Sequence, residues 1–182
     1  MKIKYKNLLV TAAILISQQA YSATVTWNDV DYSAGINDVF TLDVVGKNFT
    51  GNVDGGGVNI LYDSTVLNVL SVSVDDYYWD FLNYDGTIDN TAGSVSSIIV
   101  NAFSSNTGDF TVASVEFQAV GAGVTDLALN DFYFNPWAGG GEPISTSYIN
   151  GSVTVSNVPV PAAAWLFGSS LLALTGFTRK RS

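Results

Sequence analysis

Cysteine and histidine are both absent from the 182 residues, and their absence removes whole classes of chemistry. Without cysteine there is no disulfide, no thiolate nucleophile and no thiolate metal site. Without histidine, Ser-His-Asp and Cys-His catalysis, imidazole zinc ligation and histidine-bound haem are excluded as well. Carboxylates are the only strong acid–base candidates left. Proline is scarce, at four residues against 17 glycines, and Val, Thr, Tyr, Phe and Trp are plentiful. That mixture favours short strands joined by tight turns. Cations are scarce in the body of the chain: Lys2, Lys4 and Lys6 open it, Arg179, Lys180 and Arg181 close it, and only Lys47 lies between. All 16 acidic residues fall between Asp29 and Glu142, so residues 23 to 157 set 16 acids against one lysine, a formal −15. Such a surface repels a phosphate backbone, which argues against nucleic acid and leaves neutral glycans, divalent cations and basic partners open.

The two ends read as addresses. Three lysines by position 6, the apolar run Leu8 to Ile16, and small residues at Ala20 and Ser22 form the pattern of a secretory signal peptide over residues 1–22, with signal peptidase cutting before Ala23. The apolar run is too short to cross a ~30 Å hydrocarbon core as a helix. At the other end, Ala162 to Thr178 is an uncharged apolar or small-residue stretch that can just cross a thin bilayer. Pro161 suits a first helical turn, where its missing N–H leaves nothing unpaired. Arg179, Lys180 and Arg181 hold the tail on the cytoplasmic side, which puts residues 23–157 outside.

The segment Val158-Pro159-Val160-Pro161-Ala162, followed by a Trp-containing apolar helix and a short basic tail over 158–182, closely resembles the VPLPA-type sorting signals of the PEP-CTERM class, with Val160 where leucine is usual. The resemblance implies export in a Gram-negative bacterium that makes exopolysaccharide. It also implies recognition by an exosortase, removal of the helix, and release or attachment at the outer surface or in the extracellular matrix. A permanent single-pass anchor is the other reading of the same helix.

Between the addresses the dominant signal is alternation with period two. Phe40, Leu42 and Val44 alternate with Thr41 and Asp43; Val58, Ile60 and Tyr62 flank Asn59; Val115, Phe117 and Ala119 alternate with Glu116 and Gln118. Further strands are predicted at Thr24–Trp27, Leu67–Val74, Val95–Ala102, Thr125–Leu129 and Tyr148–Val155. Turns are predicted at Gly46–Asn48, Asp54–Gly57, Asn83–Gly86, Asn106–Asp109 and Gly121–Gly123. The pattern predicts an all-β, two-sheet sandwich or jelly roll over residues 23–157.

The run Phe40 to Val74 resembles the first half of a cohesin domain, whose Leu-x-Tyr-Asp-x-x-Val-Leu core stands here as Leu61, Tyr62, Asp63, Val66 and Leu67, with Ser64 where proline is common. Val112 to Asp131 is similar to the later cohesin strands. The resemblance implies a jelly roll of about nine strands, related to carbohydrate-binding modules and used to bind dockerin proteins or polysaccharide.

The most unusual stretch is Asp75 to Asp89, with five carboxylates and five aromatics in 15 residues. Aromatic faces stack on sugar rings and carboxylates accept from hydroxyls, so Tyr77, Tyr78, Trp79 and Tyr84 are candidates for a glycan platform. A second cluster, Phe132, Tyr133, Phe134 and Trp137, is read the same way, and in both the alternative is that the rings cover the core. The Asp85–Asp89 loop offers some of the oxygens that Ca²⁺ needs but lacks the spacing of an EF-hand loop. No motif marks a catalytic carboxylate pair. The sequence therefore points to an exported, non-enzymatic, cohesin-like domain that binds polysaccharide at the bacterial surface. The alternatives are a protein-binding domain of dockerin type and a structural component of the exopolysaccharide or biofilm matrix.

Overall fold

The computed structural model describes residues 22–157. The sorting signal and, Ser22 apart, the signal peptide lie outside the described residues. Eleven strands follow in order: β1 (Ala23–Trp27), β2 (Asp31–Gly35), β3 (Val39–Leu61), β4 (Leu67–Val74), β5 (Thr87–Asp89), β6 (Ser94–Ala119), β7 (Gly123–Asp131), β8 (Ala138–Gly139), β9 (Glu142–Pro143), β10 (Thr146–Tyr148) and β11 (Gly151–Ser156). Among the described residues there is no helix.

Two long bent strands, β3 and β6, run antiparallel for their whole length and frame both layers of a jelly-roll sandwich. In the first layer Phe40 faces Phe117, Leu42 faces Val115 and Gly46 faces Phe110. This half is flanked by β1 and the parallel β10 on one side and by β4 on the other. In the second layer Gly55 faces Asn101, Gly57 faces Ile99 and Leu61 faces Ser94. There β7, β11 and the parallel β2 extend the sheet one way and β5 the other. The inward phases of both layers close on one core that includes Val25, Trp27, Leu42, Ile60, Ile98, Phe117 and Leu127. The Trp27 indole N–H donates to the Leu127 carbonyl at 2.9 Å and so ties one layer to the other.

The eleven strands depart from the expected nine in two opposite ways: the short strands β2, β5, β8, β9 and β10 add to the count, and four expected strands merge into two for a physical reason. The clusters at Gly46–Asn48, Asp54–Gly57 and Asn106–Asp109 are not hairpin turns. The strands pass through them with bulges, between Gly46 and Phe49 and between Val53 and Gly55 among others, fusing four expected strands into β3 and β6. The glycines serve close approach instead. A Cβ on Gly46 would overlap the Phe110 ring, and one on Gly56 would overlap the Trp137 indole. The Leu61–Leu67 motif is the β3–β4 turn: Tyr62, Val66 and Leu67 are buried, and Asp63 caps the turn by accepting from the Thr65 N–H at 2.8 Å and the Thr65 hydroxyl at 2.7 Å.

Register also fixes what lies at each end of the sandwich. Ala23, the bends at 48–54 and 102–109, and the ends of β4 and β7 gather at one pole, because Thr24 pairs with Lys47, Val74 with Ala113 and Asp131 with Val58. The turns at 36–38, 62–66 and 120–122 and the end of β11 gather at the opposite pole, with Val155 opposite Gly123.

Candidate docking face

The bends splay the two layers apart at the first pole, and large rings fill the gap. Phe49, Phe110, Trp79 and Trp137 pack with centroid separations of 4.9 Å for Phe49–Phe110, 5.1 Å for Trp79–Phe110, 5.4 Å for Phe49–Trp137 and 6.0 Å for Trp79–Trp137. Trp79 is 0% exposed and donates its indole N–H to the Thr111 carbonyl at 2.8 Å; Trp137 is 1% exposed. The platform predicted on these two tryptophans is therefore corrected: their faces are spent on core packing and are closed to a sugar ring. Tyr78 is half-buried against the same cluster. Of the five predicted ligand residues, only Tyr77 and Tyr84 present much of their rings to solvent, from different segments. Asp75 caps the Tyr77 turn, accepting from its N–H at 3.0 Å.

The exposed apolar surface lies instead on the outer side of the second layer. Tyr84 bridges to Ile99 with reciprocal backbone hydrogen bonds of 2.9 Å, which makes residues 81–84 an extension of the sheet edge beyond β5. Ile99 faces Gly57, and a Cβ on Gly57 would meet Phe132 at 2.9 Å, so Tyr84, Ile99 and Phe132 form a row across three adjacent segments. Phe134 packs on Phe132 and Tyr133 at one end of the row. On the other side the Phe81 and Phe103 rings lie 4.1 Å apart. Leu82, Phe103, Tyr133 and Phe134 are each more than two-thirds exposed. Sequence reasoning missed Phe81, Leu82, Ile99 and Phe103. The available signal was that Ile99 and Phe103 share the outward phase of β6, opposite to Ile98 and Val100. By contrast, the outer side of the first layer is mostly polar, with Val39 and Leu70 as exposed apolar exceptions: Asp43 accepts from the Ser114 hydroxyl at 2.7 Å, Thr41 faces Glu116, and Asn68 faces Gln118.

Carboxylates around this pole are committed to backbone and hydroxyl donors. Asp54 accepts from the Ser105 hydroxyl at 2.5 Å and the Gly140 N–H at 2.7 Å, which hold its carboxyl below the ordinary range. Asp80 accepts from the Phe103 N–H at 2.8 Å. The Asn48 N–H and then the Lys47 ammonium lower Asp109 in the same way. Burial pushes the Tyr148 phenol upward, reinforced by its hydrogen bond to Asp131 at 3.0 Å. The calcium loop considered at Asp85–Asp89 is occupied by turn chemistry: Asp85 accepts from the Val74 N–H at 2.8 Å, and Asp89 from the Thr91 and Ala92 N–H groups at 2.9 Å. Among the described residues no three carboxylates converge to hold a metal ion.

Comparison with solved structures aligns this architecture with cohesin modules. A chain of a type I cohesin–dockerin complex from Clostridium thermocellum matches at TM-score 0.63 and 12% identity, over 75% of this chain and 100% of that one. The fold is that of a cohesin. A non-cellulosomal cohesin from the archaeon Archaeoglobus fulgidus matches at TM-score 0.60 and 15% identity, over 75% of this chain and 93% of that one. A type III cohesin from the cell-surface anchoring scaffoldin of Ruminococcus flavefaciens matches at TM-score 0.60 and 10% identity, over 75% and 88%. No family model and no curated protein matches the chain. The cohesin likeness is thus one of backbone path, with few identical side chains.

Proposed function

We propose that this chain is a cohesin-like protein-binding module, and that it docks its partner through the outer face of the second layer. The observation that carries the reading is the unequal dressing of the two sheets: an apolar row, Tyr84–Ile99–Phe132, flanked by exposed rings on one, and mostly Ser, Thr, Asn, Asp, Gln and Glu, with Val39 and Leu70 among them, on the other. Exposed apolar side chains gathered on one face mark an interaction surface. Cohesins of the same fold occur in complexes with dockerins, which favours a protein partner. The role is binding rather than catalysis.

The setting is read from the sequence. Export by the leader, exosortase sorting at Val158–Ala162 and residence at the outer surface or in the exopolysaccharide matrix of a Gram-negative bacterium accord with a module that holds partners outside the cell. Polysaccharide is the competing ligand, with Tyr77 and Tyr84 as the remaining rings of the predicted platform. Calorimetric titration against a panel of dockerin modules, run beside a glycan array, separates the readings. Saturable binding to a protein, lost in a Tyr84→Ser/Phe103→Ser variant that melts normally, supports docking. Binding to a glycan, lost in the same variant, replaces docking with the platform. Incorporation into matrix without any saturable ligand overturns both in favour of a structural component.

A further inference from the structure

Resting on the docking reading, we propose that Leu82 is the anchor of that face, and that the partner offers it an apolar hollow rimmed by lysine or arginine. Leu82 has φ 47°, a left-handed backbone that disfavours a leucine, yet its side chain is 72% exposed. The fold gains little from a leucine there, and glycine or asparagine would adopt the backbone more readily. The conformation is nevertheless held by hydrogen bonds at the Leu82 carbonyl and at both neighbouring residues. Asn101 donates its side-chain amide to the Leu82 carbonyl at 3.0 Å and its backbone N–H to the Asn83 side-chain oxygen at 3.0 Å. The Phe81 N–H donates to the Asn101 carbonyl at 3.0 Å, and the Asn83 amide donates to the Trp79 carbonyl. The clamp roots this apolar knob in the buried tryptophan cluster, with the Phe81–Phe103 pair adjoining it. A preformed apolar projection beside aromatic rings is what a binding hot spot requires, because little ordering is left to do on association.

Charge selects the occupant. Asp76, Asp80 and Asp85 are exposed in the segment that carries the knob, and the single cation among the described residues, Lys47, is engaged by Asp109 at 3.2 Å. A second copy of residues 23–157 would bring another formal −15 to the contact, so self-association is opposed and a cationic partner is favoured.

The test uses the purified full-length chain and two amphipathic helical probe peptides, one of leucine and lysine, the other of leucine and glutamate. The lysine peptide should bind, with protection from hydrogen exchange at residues 80–84 and 103, and the glutamate peptide should not. Leu82→Asn should weaken binding about tenfold or more, the effect of one lost leucine burial, and Leu82→Gly should do the same. Neither variant should lower the melting temperature. Val124→Ser, an exposed apolar site near the far pole, should change neither quantity. If Leu82→Asn binds like the parent while Tyr84→Ser and Phe103→Ser bind weakly, the face stands and the anchor is wrong. If no variant matters, binding is general attraction between opposite charges and both readings fall. Equal binding of the glutamate peptide overturns the cationic partner. A clear drop in the melting temperature of Leu82→Asn and Leu82→Gly shows that the leucine serves the fold, and overturns the anchor.

Discussion

Replacing Trp79 by alanine gives the sharpest test of how the aromatic pole is built. The side chain is 0% exposed and contacts Phe110 and Trp137, so truncation leaves a cavity between two layers that are already held apart by bulged strands. A buried Trp→Ala change costs about 3 to 5 kcal/mol through lost transfer and incomplete collapse. The substitution also removes the 2.8 Å donor to the Thr111 carbonyl, which adds roughly 1 kcal/mol for an acceptor left without its partner. The total, about 4 to 6 kcal/mol, is a large share of the ~5 to 15 kcal/mol that holds a typical domain together. At about 4 °C per kcal/mol for a domain of this size, the melting temperature should fall by roughly 15 to 25 °C. Urea denaturation followed by far-ultraviolet circular dichroism measures the loss, with Tyr77→Ala, 88% exposed, as a control expected to stay within about 0.5 kcal/mol. A Trp79→Ala loss below about 1 kcal/mol would refute the core assignment and restore this ring as a ligand platform.

Other consequences are open to direct measurement. Gly56→Ala drives a methyl group into the Trp137 indole and should cost about 1 to 3 kcal/mol, with much of the loss recovered by adding Trp137→Leu in a double-mutant cycle. The carboxyls of Asp54, Asp63 and Asp109 lie below the ordinary value of 3.8 because hydroxyl and backbone donors hold their ionised forms. Their contribution is therefore present above about pH 4 and is lost as pH falls through the folded values, and Asp54→Asn should flatten part of this acid limb in a stability–pH series. Tyr62 and Tyr148 are both raised above 10.0, chiefly by burial, so stability should decline as pH rises beyond about 10, and Tyr148→Phe should blunt that alkaline limb. Residues 23–157 expressed alone should give a soluble strand-rich spectrum, and a helix-dominated or unfolded spectrum counts against the sandwich. Intact mass from a host carrying an exosortase should show a chain beginning at Ala23 and lacking the apolar helix; retention of 162–182 would establish a plain anchor.

The layers were legible in the sequence because a half-buried strand writes its orientation into every second residue. Phe40, Leu42 and Val44 point inward as their alternation predicts, as do Val115, Phe117 and Ala119. What alternation does not encode is whether a glycine-rich interval turns the chain or lets it bend past a bulky neighbour. Gly46 and Gly56 look like turn residues until Phe110 and Trp137, distant in sequence, are placed over them. The strand Asp31–Gly35 was hidden for a related reason: Asp-Tyr-Ser-Ala-Gly has little strand propensity and is ordered by parallel pairing with β11. The aromatic segment Asp75–Asp89 was recognised as unusual, but residue type alone does not divide its rings between inside and outside. Trp79 and Tyr77 are two residues apart and differ from fully buried to almost fully exposed, because Trp79 reaches under the splayed layers while Tyr77 sits at the crest of a turn.

The placement of the first and last strands' outer ends, at Ala23 and Ser156, at opposite poles has a practical geometric meaning. β7 runs the height of the sandwich, nine residues at ~3.3 Å each, or roughly 30 Å, with the six-residue β11 antiparallel beside it. Ala23 opens at the pole that carries the apolar knob, whereas Ser156 is delivered to the far one. A tether leaving beyond Ser156 therefore works as a mast, lifting the binding surface about a sandwich height clear of whatever holds the chain. A bulky fusion placed ahead of Ala23 would stand beside that surface and shade it. Immobilisation through the carboxyl end leaves the aromatic pole facing solution, and coupling through the amino end crowds it against the support.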